Sequence, residues 1–451
     1  MGTDTVRTGS ADEAAERRRE QRGWYFYDWA CSVYSTSVLT VFLGPYLTSV
    51  AKNAADADGY VHPLGIPVRA GSFFAYSVSL SVIVAVLVMP LVGAAADRSG
   101  RKKPFLAAAA YTGAAATTAM FFLGGERYLL GGILLVVANA AQSVATMLYN
   151  SYLPQIAAPE ERDAVSSRGW AFGYAAGSLV LVVNLVLYTG HESFGLSESA
   201  AVRICLASAG LWWGAFAVIP LRRLRDRRAT PERAKESTAP GLRQLAATVR
   251  DMRRHPLTLA FLLAYLIYND GIQTVISQAS IYGSEELDLG QSTLIAAVLL
   301  VQVLAVAGAL ALGRLARLYG AKRTILGSLV AWAGVLGAGY FLPAGAPGWF
   351  FVLAAGIGLV LGGSQALSRS LFSHLVPPGK EAEYFSAYEM SDRGMSWLGP
   401  LLFGITYQLT GSYRDAIISL VAFFVIGFLL LARVPVRQAI SDAGNPVPER
   451  I

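Results

Sequence analysis

Residues 93–103 read GAAADRSGRKK, and residues 313–323, 220 positions later, read GRLARLYGAKR. They share Gly93 with Gly313, Gly100 with Gly320 and Lys102 with Lys322, and both end on a basic residue, Lys103 and Arg323. Each stretch separates two long apolar runs. A second pair agrees: SYLPQIAAP (151–159) and SLFSHLVPP (370–378) align at an offset of 219. Each closes the fourth apolar run of its half. Two matches near one offset predict two halves of six spans each.

The composition fits that reading. The 451 residues are 54% hydrophobic and 15% charged, with a mean hydropathy of +0.46. Soluble domains carry about 25% charged residues. A bilayer core of ~30 Å needs about 20 apolar residues per helix, so twelve helices use roughly 240. Apolar spans are read near 24–50, 71–96, 104–124, 129–153, 164–188 and 200–220, then near 257–282, 291–312, 324–343, 349–375, 386–409 and 414–434. The expected division is a cytoplasmic tail (1–23), a first half (24–220), a basic central loop (221–256), a second half (257–434) and a cytoplasmic tail (435–451). Within the central loop, GLRQLAATVRDMRR (241–254) has the spacing of an amphipathic helix lying on the inner membrane face.

Charge orients the spans. The segments expected inside hold 29 Lys and Arg, and those expected outside hold 4. That bias predicts both termini in the cytoplasm. The net charge of +7 is then loop charge, with no nucleic-acid partner implied. The polar N-terminus has no signal-peptide core. Cys31 and Cys205 lie in apolar runs without metal-ligand spacing, so neither metal nor cofactor is expected. There is no phosphate-binding G-x-x-x-x-G-K-[ST] loop. His62, His191, His255 and His374 sit in loops or at span ends, and nothing forms a nucleophile–base pair. An enzyme is not expected.

GAAADRSGRKK resembles the loop between the second and third helices of the major facilitator superfamily, G-x-x-x-D-[RK]-x-G-[RK]-[RK]. Gly93 permits close helix approach. Asp97 can pair with Arg98 or Arg101, or face the N-terminus of the eleventh span. The resemblance implies a latch stabilising the outward-facing state, made of Gly93, Asp97, Arg98, Gly100, Arg101 and Lys102. Its expected partners are Glu389, Asp392 and Arg393 in YEMSDRGMSW (388–397). Glu389 and Arg393, four apart, share a helical face. In the second copy, formed by Gly313, Arg317, Gly320, Lys322 and Arg323, arginine replaces the aspartate, so different partners are required.

Within that superfamily, GWYFYDWACSVYS (23–35), LYNSYLP (148–154), RGWAFGYAAGSL (168–179), AYLIYNDGIQTVI (264–276) and GGSQALSRSLFSHLVPPGKEAEYF (362–385) resemble the vacuole-effluxer-like family. That branch is related to the autophagy-linked vacuolar amino-acid effluxers of fungi. The first motif departs from the family form: Cys31 stands where asparagine is typical and Val33 where alanine is typical. If that asparagine contacts substrate, specificity here differs.

An ionisable side chain at bilayer depth costs about 2.5–3.5 kcal/mol on insertion scales, and such residues mark functional positions. Asp270 lies halfway along the seventh span, beside Gly271, which can loosen the helix. Desolvation favours its neutral form, suiting proton exchange or contact with a substrate ammonium. The alternative is a structural hydrogen bond between helices. Asp28 sits among Trp24, Tyr25, Tyr27 and Trp29. It is read as one of a cytoplasmic gate pair, as a substrate contact, or as a passive anchor in an interfacial aromatic belt, paired there to Arg168 or another inner-surface arginine. Uncharged candidates are Tyr34, Asn139, Gln142, Asn150 and Asn184 in the first half. In the second half they are Tyr268, Asn269, Gln273, Gln278, Gln302 and Gln365. Each alone is more often interhelical glue.

The expected protein is an all-α membrane protein in the major facilitator fold, with a substrate site between its halves near midplane. Its function would be secondary active transport by alternating access, exporting or exchanging small polar metabolites such as amino acids with proton coupling. The alternatives are a drug or metabolite exporter without amino-acid preference, and a non-transporting receptor or scaffold of the same fold. The expected setting is a monomer in the bilayer. A count of 31 arginines against 6 lysines suits a GC-rich bacterial genome and hence a plasma membrane.

Overall fold

Among the described residues, ten helices are long and apolar enough to cross a membrane. The protein is seen as a computed structural model that describes residues 4–70, 73–227, 250–394 and 398–451. The side chains of Asp392 and Arg393, and most of the 241–254 segment, lie outside what is described. The remaining two of the twelve expected spans fall on helices that are shorter or less apolar. Span 9 is Ala321–Tyr340, and span 11 is described over Glu381–Gly394 and Leu398–Thr410.

Spans 2 to 6 are Phe73–Ser99, Lys102–Ala119, Tyr128–Asn150, Arg162–Thr189 and Glu198–Arg223. Spans 7, 8 and 10 are Pro256–Ile281, Gln291–Tyr319 and Pro347–His374. Span 12 runs from Tyr413 to Arg433. Local sequence sets the starts. Proline opens spans 7 and 10, where its missing N–H costs nothing. The Ser197 hydroxyl accepts the Ala200 N–H at 3.2 Å and caps span 6. Gly100 and Gly320 both have positive φ (61° and 89°), which lets each repeat loop reverse within one or two residues.

Span 1 departs from the expected 24–50. Its helix starts at Asp4, within the expected tail, and runs to Val33. It then widens into a π-helix over Tyr34–Phe42 and returns to α-helix over Leu43–Asn53. Such π segments are rare and recur at functional sites. Beyond span 1 a two-stranded antiparallel ribbon pairs Tyr60 with Arg69.

The chain divides into two compact units: Met1–Tyr149 with Ala175–Thr238, and Asn150–Tyr174 with Ala239–Ile451. The boundary therefore differs from the repeat boundary, because the end of span 4 and the start of span 5 pack with the second unit. In the first unit the core is aromatic. The Tyr149 ring stacks on Trp24 at 4.3 Å and on Tyr27 at 4.8 Å. Trp24 and Tyr27 are fully buried, so this cluster is packing rather than an interfacial belt. In the second unit Tyr388 stacks on Tyr265 at 4.3 Å and on Phe372 at 4.9 Å. Spans 8 and 10 approach closely where Gly308 and Gly362 face backbone carbonyls of Leu359 and Ala305.

Candidate functional site

Asp270 is buried, at 2% exposure, within an unbroken span 7. Its Oδ2 accepts the Gly399 N–H at 2.7 Å. Gly399 lies in the helix Leu398–Thr410, so the carboxylate ties span 7 to that helix. The approach is close enough that a Cβ at Gly399 would collide with Thr274 Oγ1. Oδ1 has no hydrogen-bond partner among the described residues. Gly271 has a different role from the one expected. It does not loosen span 7; a Cβ there would lie 2.9 Å from Phe423 Cβ, so the missing side chain lets span 12 pack against it.

Other expected candidates gather around Asp270 in the second unit. Gln365 Nε2 donates to Asn269 Oδ1 at 3.1 Å, joining span 10 to span 7. The Tyr268 and Ser368 hydroxyls share a hydrogen bond of 2.6 Å. Gln273, three residues after Asp270, is half-buried and makes no hydrogen bond to a described residue. Gln278 and Gln302 are half-buried.

The first-half candidates serve mainly to hold the first unit together. Asn139 Nδ2 donates to Ser81 Oγ at 2.6 Å. Asn184 Oδ1 accepts from the Ser208 hydroxyl at 3.1 Å. Tyr34 is fully buried, its ring 5.7 Å from that of Trp213. Gln142 Nε2 reaches Ser35 Oγ, in the π segment, at 3.4 Å. Asp28 Oδ2 accepts the Tyr149 hydroxyl at 2.6 Å, while Arg168 is exposed.

A polar cluster in the second unit centres on a residue missed by the sequence reading. Arg369 in span 10 is 3% exposed. Its Nε donates to Ser166 Oγ at 2.9 Å, its Nη2 to the Ser166 carbonyl at 2.8 Å and its Nη1 to Asn150 Oδ1 at 3.2 Å. The guanidinium lies 5.3 Å from the centre of the Trp170 ring. Asn150 Nδ2 in turn donates to Glu389 Oε1 at 2.8 Å. Nearby, Arg162 Nη1 donates to the Ser373 carbonyl at 2.9 Å. The signal was present: Arg369 is one of a few arginines falling inside apolar spans rather than in loops, and such residues merit scrutiny by default.

In the first repeat loop Asp97 pairs with Lys102, its Oδ1 3.2 Å from the ammonium, with both side chains under 10% exposed. The Lys103 amide is held by Asp226 Oδ1 at 2.8 Å, after span 6. Arg101 is exposed and Gly93 buried. Further in, Glu20 accepts from the Arg225 amide at 3.1 Å and from Arg227 Nη2 at 2.8 Å.

The second copy uses other partners, as the loss of its aspartate required. Lys322 Nζ donates to the carbonyls of Ala432 and Val434, both at 2.8 Å, at the end of span 12. Arg450 Nη1 donates to the carbonyls of Arg317 and Leu318 at 3.2 and 3.3 Å. Gly320 faces the backbone of Ile451, and Arg323 is exposed. Gly313 abuts Ser167. The C-terminal segment thus caps span ends of its own unit. Asn445 Nδ2 adds bonds to the carbonyls of His374 and Val376, at 2.9 and 2.7 Å.

Asp251, outside the spans, has a shifted titration. Burial pushes Asp251 up, but the Lys380 ammonium at 2.8 Å and the Tyr384 hydroxyl at 3.1 Å outweigh it, and the net direction is down. Among the described residues no group of His, Cys, Asp and Glu could hold a metal ion.

Comparison with known proteins places this geometry. The family model described as "Vacuole effluxer Atg22 like" matches residues 16–444. The uncharacterized MFS-type transporter YxiO of Bacillus subtilis (strain 168) is 30% identical, over 95% of this chain and 98% of its own length. Autophagy-related protein 22 of Yarrowia lipolytica is 29% identical, over 81% of this chain and 76% of its own. Among solved structures, the major facilitator transporter FucP in the outward conformation superposes with a TM-score of 0.66, at 12% identity, over 92% of this chain and 98% of its own. The chain is a multi-pass membrane transporter of the major facilitator fold, not an enzyme, and it belongs to the Atg22-like vacuole effluxer family.

Proposed function

We propose that the protein is a secondary active transporter that exports or exchanges small polar metabolites such as amino acids, coupled to protons, by alternating access. The observation that carries this reading is Asp270. A carboxylate in the middle of an apolar span is costly. One of its oxygens accepts the Gly399 N–H, and the other is buried with no partner among the described residues. That second oxygen suits a proton or a substrate ammonium. Gln273, one turn further along the same helix face, offers a neutral amide with unspent hydrogen bonds. Protonation of Asp270 would weaken its hold on Gly399 and so tie the proton to the packing of span 11 against span 7.

The inner-end tethers serve the same cycle: the Asp97–Lys102 pair, with Glu389, Asp392 and Arg393, acts as the latch of one conformational state. Both termini face the cytoplasm, and the protein works as a monomer in a bacterial plasma membrane. The charge bias of the loops and the bacterial relative of matching length support that setting.

The test is uptake of a labelled amino-acid mixture into proteoliposomes, with a pH gradient and with the gradient collapsed, for wild type and Asp270→Asn. Gradient-driven uptake that disappears in the variant supports the proposal. A folded wild type that takes up no amino acid, but does take up other metabolites or drugs, removes the amino-acid assignment and favours the broader exporter.

A further inference from the structure

At the end of spans 3, 4 and 6 opposite the 93–103 loop lies a cavity of about 630 Å³. It is lined by Phe121, Phe122, Gly124, Gly125, Glu126, Arg127 and Arg203. Cations are scarce at that end of the sequence. Arg127 is one of the four in the segments expected outside, and Arg203 sits in the second turn of span 6. Folding brings these two to one concave surface.

Neither guanidinium meets a carboxylate among the described residues. Arg127 Nη1 donates to the Phe122 carbonyl at 3.4 Å, and Arg203 Nε donates to the Ser199 carbonyl at 3.3 Å. Most of their ten N–H donors are therefore unspent. Arg203 is steadied over the Phe121 ring at 5.8 Å. Gly124 leaves its Nη1 open: even a Cβ there would stand 3.5 Å away. Span 4 begins at Tyr128, directly after Arg127, so the positive end of its dipole adds to the field. Glu126 is the one acid in the lining, and two arginines with a helix N-terminus outweigh it. Phe121 and Phe122 are 43% and 61% exposed at the end of an apolar helix. Aromatic rings at that level suit the headgroup boundary of a bilayer.

We propose that this cavity binds a phosphate group, with Arg127 and Arg203 donating to its oxygens from two sides. Guanidinium forks match phosphate oxygens in geometry and charge. The phosphate could belong to the headgroup of an anionic phospholipid, its chains lying along Phe121 and Phe122, or to a free phosphate.

The test uses the full-length protein in detergent, wild type and Arg127→Gln/Arg203→Gln. Binding of phosphatidylglycerol and of phosphatidylcholine is counted by native mass spectrometry, and inorganic phosphate is titrated against thermal stability. Preferential retention of phosphatidylglycerol, falling about tenfold in the double variant, supports the lipid source. A stabilising shift with inorganic phosphate, absent in the double variant, supports the free anion. Equal retention of both lipids by wild type, with no phosphate shift, overturns the proposal. If the double variant does not fold, Arg203→Lys takes its place: it keeps the charge but loses the fork, and unchanged binding would likewise overturn the proposal. Glu126→Gln is expected to tighten binding about threefold.

Discussion

Lys102 and Lys322 occupy the same position in two copies of one loop, yet they are held differently. Lys102 faces a carboxylate, Asp97, at 3.2 Å, and both side chains are nearly buried. Lys322 faces the carbonyls of Ala432 and Val434 at the end of a helix. A helix C-terminus carries roughly half a negative charge. When the second copy carries Arg317 in place of aspartate, the end of span 12 supplies the missing negative partner. Arg450, from the C-terminal segment, then covers the carbonyls of Arg317 and Leu318. The repeat keeps the cation and exchanges its partner.

The difference is sharpest in what removal of each lysine should cost. Lys102→Met removes the ammonium that faces a nearly buried carboxylate, and a loss of about 3 kcal/mol is expected in the denaturant or thermal stability of the purified protein. Asp97→Asn/Lys102→Met should recover most of it; a double variant as unstable as the single would show that the pair is not what holds the loop. Lys322→Met removes two charge-assisted bonds but leaves only carbonyls, which water can reach, so about 1–2 kcal/mol is expected. A cost equal to that of Lys102→Met would erase the contrast between the copies. Asn445→Ala, which uncouples the C-terminal segment from the end of span 10, should cost about 1 kcal/mol.

A smaller effect concerns pH. Asp251 titrates below its unfolded value of about 3.9, so its contact with Lys380 stabilises the fold above that pH. The contribution is lost as pH falls through the lower folded value. Acid unfolding of Asp251→Asn, compared with wild type from pH 6 to pH 3, should show a shallower decline. Parallel curves would mean that the contact adds nothing measurable.

Much of this architecture could be read from sequence because apolar length and loop charge are direct consequences of the bilayer. The repeat was legible in two short stretches, and Asp270 stood out as a carboxylate within an apolar run. Its partner was not legible. The Gly399 amide is 129 residues away, and only the fold brings it against span 7. Gly271 could not be assigned from sequence, because a glycine that loosens a helix and one that admits a neighbour look the same. The π segment over Tyr34–Phe42 has no compositional mark. Asp28 reads as a gate partner, a substrate contact or an anchor, and its hydrogen bond from Tyr149, 121 positions on, needed the fold. Arg369 is the reverse case: the residue was visible as a charge inside span 10, and only its partners, Asn150 and Ser166, needed the fold.

The central claim, that Asp270 carries the coupling proton, is tested most directly by separating exchange from accumulation in one preparation. Proteoliposomes preloaded with unlabelled substrate report counterflow at equal pH, and empty ones report gradient-driven accumulation. The expected result for Asp270→Asn is counterflow within about twofold of wild type and no accumulation. Accumulation in the variant that still follows the pH gradient would contradict the claim and leave Asp270 as a partner of Gly399 alone.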